Sequence, residues 1–203
     1  MENAEGKVCT GFSLPYVAKY TSSGTTVTYS QGRRLARGVS VDLDIETFDD
    51  NKFYADNVEA ENAPAKFRSG TVNLTVDGLL RASENMIMGL PDPTTVTVGQ
   101  NTTVNMYDYG DDMEIPYVGI GYIARYMSGG EESFVPTILT KTRFAAVTQS
   151  AATQEEEIDW QTQELSAALM RDDTEKHNWK RVGADQSTEA AAEAVIKAIF
   201  NIT

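Results

Sequence analysis

Two alternating segments on either side of a long polar stretch constrain the fold of this chain more than any other feature. Residues 39–46 alternate apolar with polar side chains, and residues 71–76 repeat the pattern. A period of two is typical of a β-strand with one buried and one solvated face. The two segments therefore predict two long strands of one sheet. Their buried faces are predicted to carry Val39, Val41, Leu43, Ile45, Val72, Leu74 and Val76.

The stretch between these strands, residues 47–66, is polar and acidic and contains two neighbouring aromatic residues. Compact domains usually keep their loops shorter, and a long loop without structure of its own tends to be functional or disordered. We predict that this loop reaches a neighbouring copy of the same protein. The residues assigned to that contact are Phe53, Tyr54, Asp56 and Asn57.

Length and composition indicate one domain. The chain has 203 residues with 41% hydrophobic content, which is enough for a substantial core. No internal repeat, low-complexity tract or clear boundary divides it, so we predict a single domain over residues 1–203.

The charge balance is strongly acidic, with 30 Asp and Glu residues against 17 Lys and Arg and a net charge of -13. Such a chain is repelled by nucleic acid and by anionic membrane surfaces, although solubility alone is the simpler interpretation. A single cysteine, Cys9, excludes an intrachain disulfide and fits folding in a reducing cytoplasm. We find no signal-peptide pattern and no apolar run of membrane-spanning length, so we expect neither secretion nor membrane insertion.

The other predicted elements make the chain mainly β. Pro15 places the first strand at an edge or at a bulge. Gly119 and Gly121 share one face of a later strand, which indicates close approach of the backbone to another segment, or a bend. Residues 158–170 combine strand and helix patterns, and we predict a strand because a turn follows at once. The predicted strands beyond the central pair are 12–20, 25–29, 94–98, 102–106, 117–126, 134–147 and 158–170.

Two helices are predicted, one within the sheet order and one at the C-terminus. The first is capped by Asp77 and ends at Gly89, and the second, about 187–201, is capped by Ser187. Glu193 and Lys197 form a favourable i,i+4 pair in the second. The apolar sides comprise Leu79, Leu80, Met86 and Ile87 in the first helix and Ala192, Val195, Ile196 and Ile199 in the second.

The residue types that enzymes and metal sites use are scarce. His177 is the single histidine, and the sequence supplies it with neither a nucleophile nor an orienting group, except an unsupported pairing with Cys9. Asp42, Asp44 and Glu46 could hold a cation, but an EF-hand loop that began at Asp42 would need glycine at position 47, where the chain has Thr47. No phosphate-binding glycine loop or basic patch is present. We predict no enzyme activity, no metal and no cofactor.

The ordered set of segments resembles the major tail protein (tail tube protein) family of long-tailed bacteriophages. The segments that carry the resemblance are YVAKYT at 16–21, LARGVSVDLDIE at 35–46, FYADN at 53–57, GTVNLTVDGL at 70–79, GIGYIARY at 119–126, FVPTILTKTRF at 134–144 and WQTQEL with RDD at 160–173. The helical C-terminus departs from the family pattern, and no role is carried over to it.

The resemblance implies a β-sandwich or half-barrel with a flanking helix. It implies hexameric rings that stack into a hollow tube, through which DNA leaves the capsid without specific binding. The implied partners are copies of the same chain and other tail proteins such as the tape measure and the tail terminator, with no membrane. The implied location is the virion tail, after synthesis in the host bacterial cytoplasm.

An acidic bore would let DNA slide, because DNA carries a dense line of negative charge. We hypothesise that Asp42, Asp44 and Glu46 lie on a solvated strand face toward the bore. The alternatives are that these three side chains face bulk solvent or the next ring.

A different class of function is also open. A soluble β-sandwich binding module, such as a tail decoration that recognises carbohydrate or a surface protein, would use exposed aromatic residues. Trp160, Trp179 and the tyrosines near Tyr107 would then form the site. Self-assembly distinguishes the tube from this alternative, and a stable monomer that binds glycans would favour the binding module.

Overall fold

The computed structural model describes residues 6–49, 51–63, 65–148 and 160–202, with the backbone alone for residues 51, 53–55 and 58–63. The strands are β1 (Val8–Ser23), β2 (Thr26–Arg34), β3 (Gly38–Thr47), β4 (Asn51–Ala55), β5 (Val58–Ala63), β6 (Phe67–Val76), β7 (Thr94–Val98), β8 (Thr102–Met106), β9 (Val118–Ser128), β10 (Glu131–Phe144), β11 (Gln163–Met170) and β12 (Lys180–Val182). The helices are α1 (Arg81–Met88) and α2 (Glu189–Ile199).

Eight of these strands form one antiparallel sheet, and the predicted mainly β fold is confirmed at that level. The strand order is β2-β1-β9-β10-β11-β6-β3, with β12 paired to β10. The central pair β3 and β6 are neighbours, as the sequence predicts. Two separate hairpins, β4–β5 and β7–β8, stand outside this sheet.

The sheet curls so that β3, the last strand in this order, returns to β1, the second strand in the order. Strand β3 contacts β1 without forming a ladder with it. Just before β3, the Leu35 N–H donates to the Pro15 carbonyl at 2.8 Å. Gly38 lies so close to the Phe12 ring that a Cβ there would be 2.1 Å from it. This closure gives the sheet an inner and an outer face.

Pro15 can accept that hydrogen bond because it lies in a bulge. The register of β1 against β9 shifts between Ser13 and Tyr16, and Leu14 has a φ of 51°. β1 is an internal strand, so the bulge and not an edge accommodates the proline.

The inner face encloses the larger of two hydrophobic clusters. Strands β1, β6, β9, β10 and β11 contribute to it, and Ile87 and Met88 of α1 close it. Val41 and Leu43 pack against it as predicted, but Val39 and Ile45 are exposed. A bulge between Gly38 and Ser40 takes Val39 out of the alternation. Ile45 stands opposite Gly70, which has no side chain to cover it.

The outer face of β1, β2, β9 and β10 is covered by α2. Ile196 and Phe200 are fully buried there. Gly119 and Gly121 make this contact possible, because a Cβ at Gly121 would lie 2.8 Å from Ile196 and 2.9 Å from Phe200. Of the two alternatives that the sequence leaves open at these glycines, close approach is the one that the structure shows.

Several predicted helix and strand ends need correction. Asp77 does not cap α1. Its carboxylate accepts from the Arg37 backbone N–H and guanidinium, and Leu80, at the N-cap position, is exposed. Gly89 does end α1, in the left-handed region at φ 61°. Thr188, rather than Ser187, caps α2 by accepting from the Ala191 N–H.

The strand predicted over 158–170 begins only at Gln163. Trp160 precedes it and is 83% exposed, whereas Ile158 and the acidic connection at 149–157 lie outside the described residues. The predicted pair Glu193–Lys197 forms, with Oε1 and Nζ 2.8 Å apart.

A small polar network ties β1 and β10 to the turn after β11. The Lys141 ammonium lies 2.9 Å from the Asp173 carboxylate, and the Tyr20 hydroxyl donates to the same carboxylate at 2.8 Å. The Lys141 hydrogen bond is the main cause that lowers the pKa of Asp173 from 3.8 to about 2. Burial raises the pKa of Tyr20 to about 12.

Gly121→Ala should lower the free energy of unfolding by about 1–3 kcal/mol, because the added methyl group overpacks the contact with α2. Denaturant unfolding measures this change. Gly110→Ala is the matched control, since a Cβ there meets no atom within 4 Å. Equal stability of the two variants would contradict the contact.

Asp173→Asn should lower stability by about 1 kcal/mol at neutral pH, a figure discounted for solvent screening because the side chain is 37% exposed. A depressed carboxyl pKa adds stability that is present above pH 4 and is lost as the pH falls toward 2. The stability difference between wild type and Asp173→Asn should therefore close over that window. Urea melts at each pH, with the exposed Asp92→Asn as control, measure it. A difference that is undiminished at pH 2 would exclude this role.

Candidate assembly surfaces

The three acidic residues of β3 share one exposed face, as the alternation predicts. Asp42, Asp44 and Glu46 are all exposed and lie opposite to the core-facing Val41 and Leu43. Successive carboxylates on one face of a strand are about 7 Å apart, which is close enough for mutual repulsion. The structure thus shows a linear acidic stripe on β3.

Strand β6 partly satisfies this stripe by hydrogen bonds. The Asn73 amide donates to Asp44 at 3.4 Å, and the Ser69 hydroxyl donates to Glu46 at 2.8 Å. Asn73 in turn accepts from Ser166 of β11 at 3.2 Å. These neutral donors hold the carboxylates in place and bring no positive charge.

The acidic stripe belongs to a wider polar sheet face, defined by the outward positions of β3, β6 and β11. Glu164 of β11 adds a fourth carboxylate. It stands opposite Thr75 of β6, which in turn stands opposite Ser40 of β3. Arg68, exposed at the bulge that ends the β3–β6 ladder, is the one Lys or Arg on these three strands, and the next basic residue is Arg143 on β10, opposite Ala168. The members of the polar sheet face are Ser40, Asp42, Asp44, Glu46, Ser69, Thr71, Asn73, Thr75, Glu164, Ser166 and Ala168.

The polar sheet face stays open while the rest of the same side of the sheet is covered. Helix α2 packs over β1, β9 and β10 and does not reach β3, β6 or β11. Within the described ranges, the outward side chains of β3 and β11 are exposed apart from Met170 at the end of β11. This side of the sheet is therefore covered by α2 over β1, β9 and β10 and exposed to solvent over β3, β6 and β11.

The predicted loop at 47–66 contains a β-hairpin, which corrects the expectation of an unstructured stretch. Strands β4 and β5 pair from Asn51↔Ala63 to Ala55↔Val58, which leaves Asp56 and Asn57 as a two-residue turn. Both turn residues have positive φ, 52° and 64°. This is the backbone pattern of a type I′ hairpin, whose twist matches its strands.

This hairpin continues from the end of the polar sheet face. The Phe48 N–H donates to the Lys66 carbonyl at 2.9 Å, just beyond the β3–β6 ladder. Asp56 and Asn57 are exposed at the tip, and Phe53 and Tyr54 lie in β4, where the structure describes the backbone alone. All four residues assigned to an inter-copy contact thus belong to one projecting arm.

The residues weighed for catalysis are not assembled into a site. The Cys9 thiol contacts the Gly11 carbonyl, whereas the His177 ring contacts the Asp172 carbonyl at 3.3 Å. Among the described residues, no hydrogen bond joins Cys9 to His177. In the same part of the chain, no group of three or more His, Cys, Asp or Glu side chains could hold a metal ion.

The aromatic residues weighed for a binding module lie in different environments. Trp179 stacks on Phe67, with ring centroids 4.9 Å apart and an interplanar angle of 10°. Tyr107 is half-buried beside the Arg81 guanidinium, and Trp160 is exposed before β11. No ring contact joins Trp160, Trp179 and Tyr107 within the described residues.

Comparison with known proteins returned no matching family model and no matching curated protein. No helix in the described ranges is both long and apolar enough to cross a membrane.

Proposed function

We propose that this chain is the structural subunit of a bacteriophage tail tube, which polymerises into stacked hexameric rings around a bore. The observation that carries the proposal is the polar sheet face, which presents Asp42, Asp44, Glu46 and Glu164 against a single basic residue on its three strands, Arg68 at the end of β6. A projecting arm continues from the end of that same face.

A bore that is lined by carboxylates and neutral polar side chains suits the passage of DNA. Double-stranded DNA carries one negative charge for each roughly 1.7 Å of its axis, and proteins bind it through Lys and Arg contacts to phosphates. Carboxylates held by Ser69 and Asn73 offer no such contact. In the proposed tube, DNA slides past the polar sheet face without specific binding.

The β4–β5 hairpin is the proposed contact between stacked rings. An arm on one copy that docks elsewhere on the next copy makes a head-to-tail contact, which closes into rings or extends as a stack. Strands β2 and β3 end the sheet path, so both leave an edge that a neighbouring copy can use.

The fold type follows from the same proposal. The curled sheet with α1 at its inner core fits a half-barrel of the tail tube type, with α2 as an added element. The proposed location is the virion tail, and the proposed partners are further copies, the tape measure and the tail terminator. DNA and membranes are not binding partners.

Purified protein at rising concentration should form rings and then hollow tubes in electron micrographs, with a parallel rise in particle size. The physical reason is that contacts between copies follow mass action. A reconstruction should place Asp42, Asp44 and Glu46 on the bore and the β4–β5 hairpin against the next ring. Tubes with these three carboxylates turned away from the bore would refute the assignment of the face.

Chemical labelling tests the same orientation in solution. In a Cys9→Ser background, Asp44→Cys should react with a large polymer-linked maleimide in the free subunit and much more slowly in tubes. A small maleimide should react in both states, because the bore admits it. Ala198→Cys, on the exposed side of α2, is the matched control and should stay reactive toward both reagents. Unchanged reaction of Asp44→Cys in tubes would contradict a bore-facing sheet face.

A further inference from the structure

A shallow cleft lies where the end of β2 meets the beginning of α1. Its volume is about 510 Å³, and the residues that line it include Arg33 and Arg34 from β2 and Leu80 and Ser83 from the first turn of α1. We call it the β2–α1 cleft. Among the described residues, none that lines it is Asp or Glu. The cleft is therefore basic, on a chain whose net charge is -13.

The two arginines of the cleft have no acidic partner of their own. Within the described ranges, the guanidinium groups of Arg33 and Arg34 donate to backbone carbonyls and form no ion pair. The neighbouring Arg37 and Arg81 differ, because each of them is paired with a carboxylate. A guanidinium carries several N–H donors in a planar fork that fits a carboxylate. The cleft thus keeps donors for an anionic group from outside the chain.

The β2–α1 cleft and the β4–β5 hairpin lie at opposite ends of the β3–β6 strand pair. The β3–β6 ladder begins at Gly38↔Val76 and ends at Thr47↔Phe67. The cleft adjoins the first pair, because β2 leads into β3 there and β6 leads into α1. The hairpin continues from the last pair. A strand of 10 residues at about 3.4 Å each puts about 30 Å between the two ends.

The β4–β5 hairpin has the opposite charge to the cleft. Residues 51–63 contain three acidic residues, Asp56, Glu59 and Glu61, against one basic residue, Lys52. Asp56 is exposed in the two-residue turn at the tip. The tip therefore presents a carboxylate, and the cleft presents two arginines that lack one.

Charge complementarity selects the hairpin of a second copy as the occupant of the cleft. The net charge of -13 opposes contact between copies in general, so a contact between them needs local attraction of this kind. Because the hairpin and the cleft stand at opposite ends of the β3–β6 pair, the hairpin of one copy meets the cleft of another. The contact is therefore head-to-tail.

We infer that the tip of the β4–β5 hairpin docks in the β2–α1 cleft of a neighbouring copy, where Arg33 and Arg34 hold the Asp56 carboxylate. This inference deepens the proposed tube, on which it rests for the stacking of rings, by naming the acceptor of the contact between rings. Hydrogen bonds between arginine and carboxylate are among the stronger ones in proteins, and their geometry fixes orientation. Repeated from copy to copy, a head-to-tail contact extends a stack.

Variants that remove one charge at a time test the contact. Arg34→Gln and Asp56→Asn should each raise the concentration needed for assembly about tenfold, because each leaves a charged group without its partner. Asn tolerates the left-handed region, so Asp56→Asn keeps the turn. Arg181→Gln is the matched control on β12 and should assemble like the wild type. Circular dichroism and thermal melts should show all three variants folded, since all three positions are exposed.

The double variant Arg34→Gln/Asp56→Asn separates a direct contact from a general effect of charge. If the two side chains touch, the concentration needed for assembly should rise well below a hundredfold, because the second change removes a partner that is already lost. A rise of about a hundredfold, the product of the two single effects, would mean that the residues act independently and would overturn the contact.

Carbodiimide cross-linking gives a readout that does not need tubes. Arg34→Lys keeps the positive charge and adds an amine, which the reagent couples to an adjacent carboxylate as an amide. In a mixture of isotope-labelled and unlabelled chains, mass spectrometry should find residue 34 of one chain linked to Asp56 of another. Arg181→Lys should give no link to Asp56, and adding Asp56→Asn to Arg34→Lys should abolish the link. Absence of the link in Arg34→Lys would overturn the contact.

The outcomes separate the two proposals. If wild type, Arg34→Gln and Asp56→Asn form tubes at the same concentration, the docking contact is wrong and the tube stands. If no tube forms but residues 34 and 56 of different chains are linked, the contact stands and the tube is wrong. If residue 34 is linked instead to carboxylates outside the β4–β5 hairpin, another surface occupies the cleft and the inference is overturned.

Discussion

Burial of strand β9 on both faces is the constraint on which the rest of the molecule depends. Ile120 and Tyr122 enter the inner cluster, while Gly119 and Gly121 on the other face accept the side chains of α2. β9 also holds β1 on one edge and β10 on the other. Because interiors are close-packed, the position of this strand determines where the hairpin β1–β2, the helix α2 and the inner core lie.

The elements that sequence patterns predicted well are those whose determinants are local. The alternation in β3 and β6, the paired β7 and β8 around Gly99, and the helical spacing of Ala192 and Ile196 need no knowledge of distant residues. The cap at Asp77 failed because Arg37, in the connection between β2 and β3, competes for its carboxylate. Long-range contacts of this kind override local propensity.

The acidic stripe was predictable, but its surroundings were not. A period of two places Asp42, Asp44 and Glu46 on one face whatever the neighbours are. Glu164 joins them only through the order β11-β6-β3, which pairs segments far apart in sequence. The β4–β5 hairpin did leave a local signal, since Asp56 and Asn57 both tolerate the left-handed region and favour turns. Its flanking strands lack the apolar alternation that normally accompanies such a turn.

In the proposed tube, the acidic stripe would also make the assembly a polyelectrolyte in its own right. Its carboxylates are about 7 Å apart, close to the screening length of about 8 Å at physiological ionic strength. The hydrogen-bond partners of Asp44 and Glu46 are neutral, so mobile cations contribute to the compensating charge beside Arg68 of β6. Repeated around a ring and along a stack, the stripe would concentrate a layer of counterions on its surface, and dilution of the surrounding electrolyte would strengthen the repulsion between copies.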